Sequence, residues 1–199
     1  MLETIKADLS KYCDDGLSVG AALGVLFESD GFVPTVVYRF GRWIDKTLTR
    51  PIQLPLKGVL LAVYSLVNGI VAKALGARID RRASIGKGLY IAHCIGLYIG
   101  PCRLGENCTV HQHVQIGGSK AGGEKGPIWV GRNVWIGPHA RVLGPVRIGD
   151  DATIGSGSVV TSDVSEGDLV AGDPARTIRR SYNNTALRPG TTDGEAARP

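Results

Sequence analysis

Aliphatic residues recur every six positions between residues 85 and 160. The first run is Ile85, Ile91 and Leu97, the second, displaced by one position, is Leu104, Val110 and Ile116, and the third is Val130, Ile136, Val142, Ile148, Ile154 and Val160. Glycine directly follows the aliphatic residue at Gly86, Gly105, Gly117, Gly131, Gly137, Gly149 and Gly155. A period of six fits neither a helix nor a plain strand. It is typical of a parallel β-helix, in which three hexapeptides form one triangular coil and the aliphatic residue points inward.

A second set of small or aliphatic residues lies two positions before the first. Its members are Cys102, Cys108, Val114, Ile128, Val134, Ala140, Val146, Ala152 and Ser158. Residues two apart in a strand share a face, so we expect both sets inside the coils. The other two cysteines, Cys13 and Cys94, complete four with no CxxC spacing, which indicates buried thiols in a reducing cytoplasm rather than a metal site.

Residues 1–76 lack the six-residue period, and their apolar spacing predicts helices. We expect helices over residues 4–13 and 17–27, a third that starts at Pro34, and a fourth that ends at Gly76. The uncharged stretch 58–72 of the fourth helix is 15 residues long, less than the roughly 17–25 that cross a bilayer. We predict that this helix is buried against other helices or neighbouring subunits, with peripheral membrane contact as the alternative.

These patterns divide the chain into a helical region over 1–76, a β-helix over 77–178 and a polar, disordered tail over 179–199. The segment from Gly117 to Pro127 interrupts the period and must loop out of the coils. The formal net charge of +5 suits an anionic small molecule, and no nucleic-acid motif accompanies it. The first residues carry acidic side chains and no apolar core, so they do not resemble a signal peptide, and we expect a cytoplasmic protein.

The four histidines, His93, His111, His113 and His139, all lie in the coil region. A single histidine on a β-coil is more often structural than catalytic. Allowing for the one-residue displacement, however, Gln112 lies one coil above His93, so His93, residues 111–113 and the loop share one edge. A neutral imidazole beside a glycine-rich loop that carries lysines suits a general base acting near a bound anionic carrier.

Several motifs resemble the serine acetyltransferase-like branch of the hexapeptide-repeat acyltransferases. They are SDGFVPTVVYRFGRWI, ASIGKGLYIAHCIGLYIG, ENCTVHQHVQIGG, VWIGPHARVLGPVRIGDDATIGSGSVVTSDV and AGDPAR. The resemblance implies a left-handed parallel β-helix with N-terminal helices, and a homotrimer that transfers acetyl from acetyl-CoA to a hydroxyl at sites between subunits. It gives His93 the catalytic role. Because they share the edge with His93, we expect His111, Gln112 and His113 to contact the acceptor. The coenzyme A contacts that it implies are Gly118, Lys120, Ala140, Ser156, Thr161, Arg176 and Arg179, with no metal.

The chain departs from serine acetyltransferases where that family holds its amino acid. Ala92 stands where the family has Asp before the catalytic His, Gly126 replaces a second His, and Arg78 replaces the Asp that pairs with the base. The family's N-terminal substrate-binding Asp falls at Gly16, with Asp14 and Asp15 offset. These changes favour a sugar or polysaccharide precursor as acceptor, with serine O-acetylation as the alternative, in a cytoplasmic enzyme that can also lie at the inner membrane face.

Two rival classes remain at the level of the sequence. A γ-type carbonic anhydrase shares the β-helix but needs three histidines around one zinc ion. The histidines here lack that spacing and its accompanying acids. A non-catalytic β-helix scaffold is the other rival, and the combination of His93, the loop and Arg176 argues against it.

Overall fold

The computed structural model describes residues 1–13, 18–119 and 126–189. The N-terminal region forms four α-helices, α1 (Leu2–Leu9), α2 (Val19–Glu28), α3 (Phe32–Thr47) and α4 (Leu54–Leu75), with a short 3₁₀ helix at Pro51–Gln53 before α4. The helical prediction is thereby confirmed. Gly76 ends α4 in the left-handed conformation at φ 65°, as the sequence suggested.

Fifteen short strands follow in the part of the chain that the structure describes. They are β1 (Arg78–Ile79), β2 (Ser84–Ile85), β3 (Tyr90–Ile91), β4 (Tyr98–Ile99), β5 (Arg103–Leu104), β6 (Thr109–Val110), β7 (Gln115–Ser119), β8 (Ile128–Val130), β9 (Trp135–Ile136), β10 (Arg141–Gly144), β11 (Val146–Ile148), β12 (Thr153–Ile154), β13 (Val159–Val160), β14 (Leu169–Gly172) and β15 (Ala175–Arg179). Successive strands enter three sheets in turn. The first sheet is β1-β4-β7-β10-β13, the second is β2-β5-β8-β11, and the third is β3-β6-β9-β12-β14-β15.

The named strand pairs are parallel except for the closing hairpin of β14 with β15. This arrangement is the predicted β-helix. Every residue of both inward sets is buried, and all of them except the polar Ser158 belong to one continuous apolar core along the coils. The alternation of inward and outward residues therefore predicted the fold correctly.

The sequence pattern shows a one-residue displacement between the first and second aliphatic runs. In the structure this displacement arises differently. The strand pairings align Ile99, not Leu97, with Ile79 and Ile116. The step from Ile91 to Ile99 is eight positions, and the next step to Leu104 is five. The chain thus gains two residues at the turn 92–96 and loses one later. The enlarged turn is the one that holds His93.

Buried polar contacts attach the helices to the first coil. Arg39 on α3 donates from Nε to Oδ2 of Asp8 on α1 at 2.8 Å and from Nη1 to the carbonyl oxygen of Ile85 at 2.7 Å. Both charged side chains are nearly inaccessible, at 7% and 0% exposure. The hydroxyl of Tyr38 donates to the carbonyl of Ala83 at 2.8 Å and accepts from the amide of Ile85 at 3.1 Å. The helical region is therefore fixed to the coils by specific hydrogen bonds.

Helix α4 differs from the expectation that it is buried against other helices. It packs on α3 along one side, around buried Tyr64, and only 6% of its most apolar 18-residue window is buried. The helix is 22 residues long, and it meets the length and composition of a membrane-spanning helix, a weak criterion for one helix alone. The helix therefore extends on both sides of the uncharged stretch 58–72. The apolar side chains that remain exposed on it are Leu54, Leu56, Val59, Val63, Leu66, Val67 and Ile70.

The first part of the predicted disordered tail is ordered in the structure. Residues 180–189 continue from β15 and include a 3₁₀ helix at Thr185–Leu187. The side-chain amide of Asn184 is buried and donates to the carbonyls of Asn133 and Asp151, each at 3.0 Å. These bonds hold the segment to the coils, which composition alone did not reveal. Residues 190–199 lie outside the described residues.

Candidate active site

One edge of the β-helix, between the third and first sheets, carries all four histidines. It consists of the turns 92–96, 111–113, 137–139 and 155–157, which we call the histidine edge. Backbone hydrogen bonds stack the turns. The amide of His113 donates to Ile95 at 2.9 Å, that of His139 to Gln112 at 3.0 Å, and that of Gly157 to Pro138 at 2.8 Å. Side chains far apart in the sequence are thus aligned at the spacing of paired strands.

His93 is an open side chain on this edge. Its side chain is 68% exposed, and its Nδ1 atom lies 3.8 Å from Oδ1 of Asp30. The pairing of Ile91 with Val110 places Gln112 beside His93, as the sequence pattern predicted. The enlarged turn 92–96 projects His93 from the regular coil. An accessible imidazole next to a carboxylate has the arrangement of a general base.

His111 and Gln112 present polar atoms to the same place. His111 Nε2 and Gln112 Oε1 are both buried and have no hydrogen-bond partner among the described residues. Burial, followed by the proximity of His93, lowers the pKa of His111, so its imidazole is neutral near pH 7. Its ring also packs against Trp135, with centroids 4.9 Å apart. Unpaired buried polar atoms of this kind are costly unless a ligand or water satisfies them.

The ring of His113 packs against neighbouring residues of the histidine edge. Its ring stacks on that of His139, with centroids 4.6 Å apart and planes 12° from parallel. A side chain on Gly96 would overlap the His113 ring, so the glycine leaves room for the imidazole. His113 and His139 both adopt positive φ, at 56° and 62°. This pair shapes the edge above His93.

The predicted coenzyme A contacts fall in several places. Ser156 is exposed on the histidine edge, whereas the Ala140 side chain is buried in the core and cannot line a surface. Gly118 lies within β7 and Thr161 directly follows β13, both towards the other edge of the first sheet, next to the second sheet. Arg176 and Arg179 are exposed on β15, at the C-terminal end of the coils. Lys120 and the rest of the loop 120–125 lie outside the described residues.

The structure therefore brings His93, His111, Gln112, His113 and Ser156 to one edge of a single chain. It leaves Gly118 and Thr161 across the first sheet from them. Asp30 is the residue that the sequence analysis missed. It stands in the motif SDGFVP but is 63 positions from His93, and no local spacing links a residue in a helical region to a coil turn.

Among the described residues, the cysteines and the potential metal ligands do not form a second reactive site. Burial raises the pKa of the Cys94 thiol to about 11 and those of Cys102 and Cys108 to about 12. Such thiols are poor nucleophiles at neutral pH. Within the ranges that the structure describes, no group of three or more His, Cys, Asp or Glu side chains is arranged to hold a metal ion.

Known proteins resemble this chain along most of its length. Residues 127–162 match the bacterial transferase hexapeptide family of six repeats. A serine acetyltransferase of Mycobacterium tuberculosis is 39% identical over 183 residues, which cover 91% of this chain and 75% of the relative. This protein belongs to the hexapeptide-repeat acyltransferases, in their serine acetyltransferase-like branch. The predicted family, fold and acyltransferase class are thereby confirmed.

Solved structures of hexapeptide-repeat acyltransferases have the same architecture. Serine acetyltransferase of Neisseria gonorrhoeae in complex with serine superposes with a TM-score of 0.69 at 30% identity, covering 89% of this chain and 69% of that one. A serine acetyltransferase in complex with coenzyme A gives a TM-score of 0.69 at 26% identity, with the same coverages of 89% and 69%. The similarity includes the helical region as well as the coils.

Proposed function

We propose that this protein is an acetyl-CoA-dependent O-acetyltransferase in which His93 is the general base. The observation that carries the proposal is the histidine edge, where an exposed imidazole lies beside the unpaired polar atoms of His111 and Gln112. Membership of the acyltransferase family supplies the class of reaction. The coenzyme A complex of a relative supports acetyl-CoA as the acyl donor.

The reaction follows from these groups. Nε2 of His93 takes the proton of the acceptor hydroxyl as its oxygen attacks the thioester carbonyl. Backbone N–H groups of Gly117 or Gly118 stabilise the resulting oxyanion. The carbon–sulfur bond then breaks, and the thiolate receives the proton from the imidazolium. The products are an O-acetyl ester and free coenzyme A.

The predicted homotrimer is part of this proposal. In one chain, Gly118 and Thr161 lie on the opposite edge of the first sheet from His93. A second subunit can place its Gly118 edge against the histidine edge of the first, which completes a site that neither chain holds alone. We further propose that Ser156, Arg176, Arg179 and Lys120 of this shared site bind coenzyme A, the basic residues through its phosphates. Stable monomers in sedimentation experiments at micromolar concentration would contradict the shared site.

We propose L-serine as the acceptor. The relatives are serine acetyltransferases, and one is solved with serine. The missing acids at Ala92 and Arg78 argued against an amino acid, but Asp30 now stands beside His93. A carboxylate is therefore present at the site, which answers the objection raised by Arg78 but not the one raised by Ala92.

A sugar hydroxyl is the second candidate, and the lining of the site favours it. Ala92 and Gly126 still replace residues that the serine enzymes use, and the neutral His111 and Gln112 offer only uncharged hydrogen bonds. Such groups suit the uncharged hydroxyls of a polyol.

The decisive experiment is an acetyl-CoA assay with purified protein against L-serine and a panel of free and lipid-linked sugars. Thiol release gives the rate, and mass spectrometry identifies the acetylated product. His93→Asn serves as the inactive control. We expect O-acetylserine as the main product, and a sugar ester formed at a higher kcat/KM would establish the second candidate. Thiol release that needs no acceptor would overturn the transferase assignment.

The exposed face of α4 is the remaining surface that the proposed assembly must account for. We propose that a helix of a neighbouring subunit covers it, because a Cβ added at Gly58 or Gly69 would meet nothing within 4 Å, which leaves open backbone for close helix packing. Leu66→Gln should then lower the oligomeric state of the lipid-free protein, with Lys73→Gln as the control. Unchanged assembly together with lost vesicle binding would instead support peripheral membrane contact of a cytoplasmic protein.

A further inference from the structure

Asp30 lies on the connection between α2 and α3, yet its carboxylate reaches the histidine edge. Oδ1 of Asp30 is 3.8 Å from Nδ1 of His93, which is the carboxylate contact that the structure gives this imidazole within its described ranges. The contact is on Nδ1, so Nε2 remains free for the acceptor hydroxyl. In acid–base catalysis by histidine, a carboxylate on one ring nitrogen fixes the tautomer that leaves the other nitrogen able to accept a proton.

Two contacts fix the Asp30 connection on the strand that leads to His93. Gly31 lies so close to the carbonyl of Ile91 that a Cβ on this glycine would overlap the oxygen. The hydroxyl of Tyr12 accepts from the amide of Ile91 at 2.9 Å and donates to its carbonyl at 3.1 Å. The helical region is thus attached at Ile91, two residues before His93. Asp30 is therefore held beside the enlarged turn by packing rather than by chance exposure.

Tyr12 and Cys94, whose pKa values respond to Asp30, and His111, whose pKa responds to His93, are uncharged at neutral pH. Burial raises the pKa of Tyr12, and burial followed by the charge of Asp30 raises that of Cys94 to about 11. Burial, with His93 close by, lowers the pKa of His111. Tyr90, whose ring lies 4.6 Å from that of Tyr12, is a further ionisable neighbour. None of these groups can replace the negative charge of Asp30.

We propose that Asp30 is the positioning residue of His93: its carboxylate orients Nδ1–H and stabilises the imidazolium that forms when Nε2 takes the acceptor proton. This inference rests on the proposed function. Asp30 acts through His93 and exchanges no proton with the substrate. A direct hydrogen bond requires the two atoms to approach from 3.8 Å to about 3 Å. The carboxylate thus takes the part that the acid missing at Arg78 plays in the serine enzymes.

The test compares Asp30→Asn with Asp30→Glu and with the matched control Glu28→Gln, which removes a charge from an exposed side chain at the end of α2. At metal sites, loss of the partner that orients a histidine ligand costs about 10–100-fold in activity, and we take the same range for the carboxylate beside His93. We expect Asp30→Asn to lower kcat by this factor with coenzyme A affinity unchanged, Asp30→Glu to recover part of the rate, and Glu28→Gln to match the parent protein.

A double-mutant cycle separates positioning from a purely structural role. In a His93→Asn background, Asp30→Asn should have no further effect, because the residue acts only through His93. Additive losses would overturn the proposal.

A rise in acceptor KM at constant kcat would also overturn it, and would assign Asp30 to the ammonium group of the acceptor. Full activity of Asp30→Asn alongside an inactive His93→Asn protein would contradict this inference alone. A fully active His93→Asn protein would contradict the proposed function itself, so the two failures are distinguishable.

Discussion

The coils and the helices of this protein are held together in different ways. In the coils, each inward residue packs against its counterparts in the coils above and below, and one apolar core runs from Ala77 to Ala175. The helices have only small cores, such as the cluster of Leu9, Val25 and Phe32. They depend instead on polar bonds to the first coil. The comparison shows that the repeat determines where the catalytic edge lies, whereas the helical attachment determines which groups face it.

The two regions also contribute unequally to chemistry. The histidine edge comes entirely from the coils, and the carboxylate beside it comes entirely from the helices. Substituting a catalytic side chain of the coils should therefore lower kcat strongly. Weakening the contacts of the helices should lower stability or make His93 a less efficient base. The following predictions test this division, starting from the largest effect.

Removal of the base should give the largest change. His93→Asn should lower kcat by about 10²–10⁴-fold, the usual contribution of a general base, while assembly and coenzyme A affinity remain as in the parent protein. Steady-state kinetics and calorimetry measure these quantities. His111→Asn is the comparison variant and should act mainly through acceptor KM. An active His93→Asn protein together with an inactive His111→Asn protein would show that the base is His111, on the next coil.

The second-largest effect should come from breaking the contact between the helices and the coils. Arg39→Leu leaves Asp8 buried and uncompensated, and breaking such a pair typically costs about 3–5 kcal/mol. We expect a lower midpoint in denaturant unfolding, with the helical signal lost before the β signal. Arg82→Leu is the control, because its partner Asp80 is bound at the surface and Arg82 is 75% exposed. Equal destabilisation by both variants would contradict the special role of the buried pair.

The same contrast explains what the sequence could and could not predict. Each inward residue of the coils repeats a local pattern, so the fold, the core and the position of Gln112 above His93 followed from spacing alone. Asp30 could not be found in this way, because its approach depends on how Gly31 packs against Ile91. The exposure of α4 could not be predicted either, because the pattern of apolar residues in a helix is the same whether or not a partner covers it.

A steric change at that contact should have a moderate effect. Gly31→Ala places a methyl group against the carbonyl of Ile91, and overpacking of this kind costs about 1–3 kcal/mol. It should also displace Asp30 and lower kcat. Gly24→Ala is the matched control, since a Cβ there meets nothing within 4 Å and alanine is the better helix former. Thermal unfolding and kcat measured on both variants test the contact, and equal stability of the two would show that the helices are not seated on Ile91.

The smallest effect should come from an ion pair between coils. Asp150 accepts from the backbone amide of Arg132 at 2.8 Å and from its guanidinium at 2.7 Å, and these bonds, the amide first, hold the pKa of Asp150 below its usual range. A carboxylate whose pKa is lower in the folded state stabilises the fold above its unfolded pKa of about 4, and this contribution is lost as pH falls through the folded pKa. Asp150→Asn should therefore lower Tm slightly at pH 7 and make Tm less sensitive to acid below pH 4. Salt should shrink the difference, because the pair is exposed. Asp173→Asn, on the turn between β14 and β15, is the control, and a parent-like acid response in Asp150→Asn would show that the pair adds nothing to the stacking of the coils.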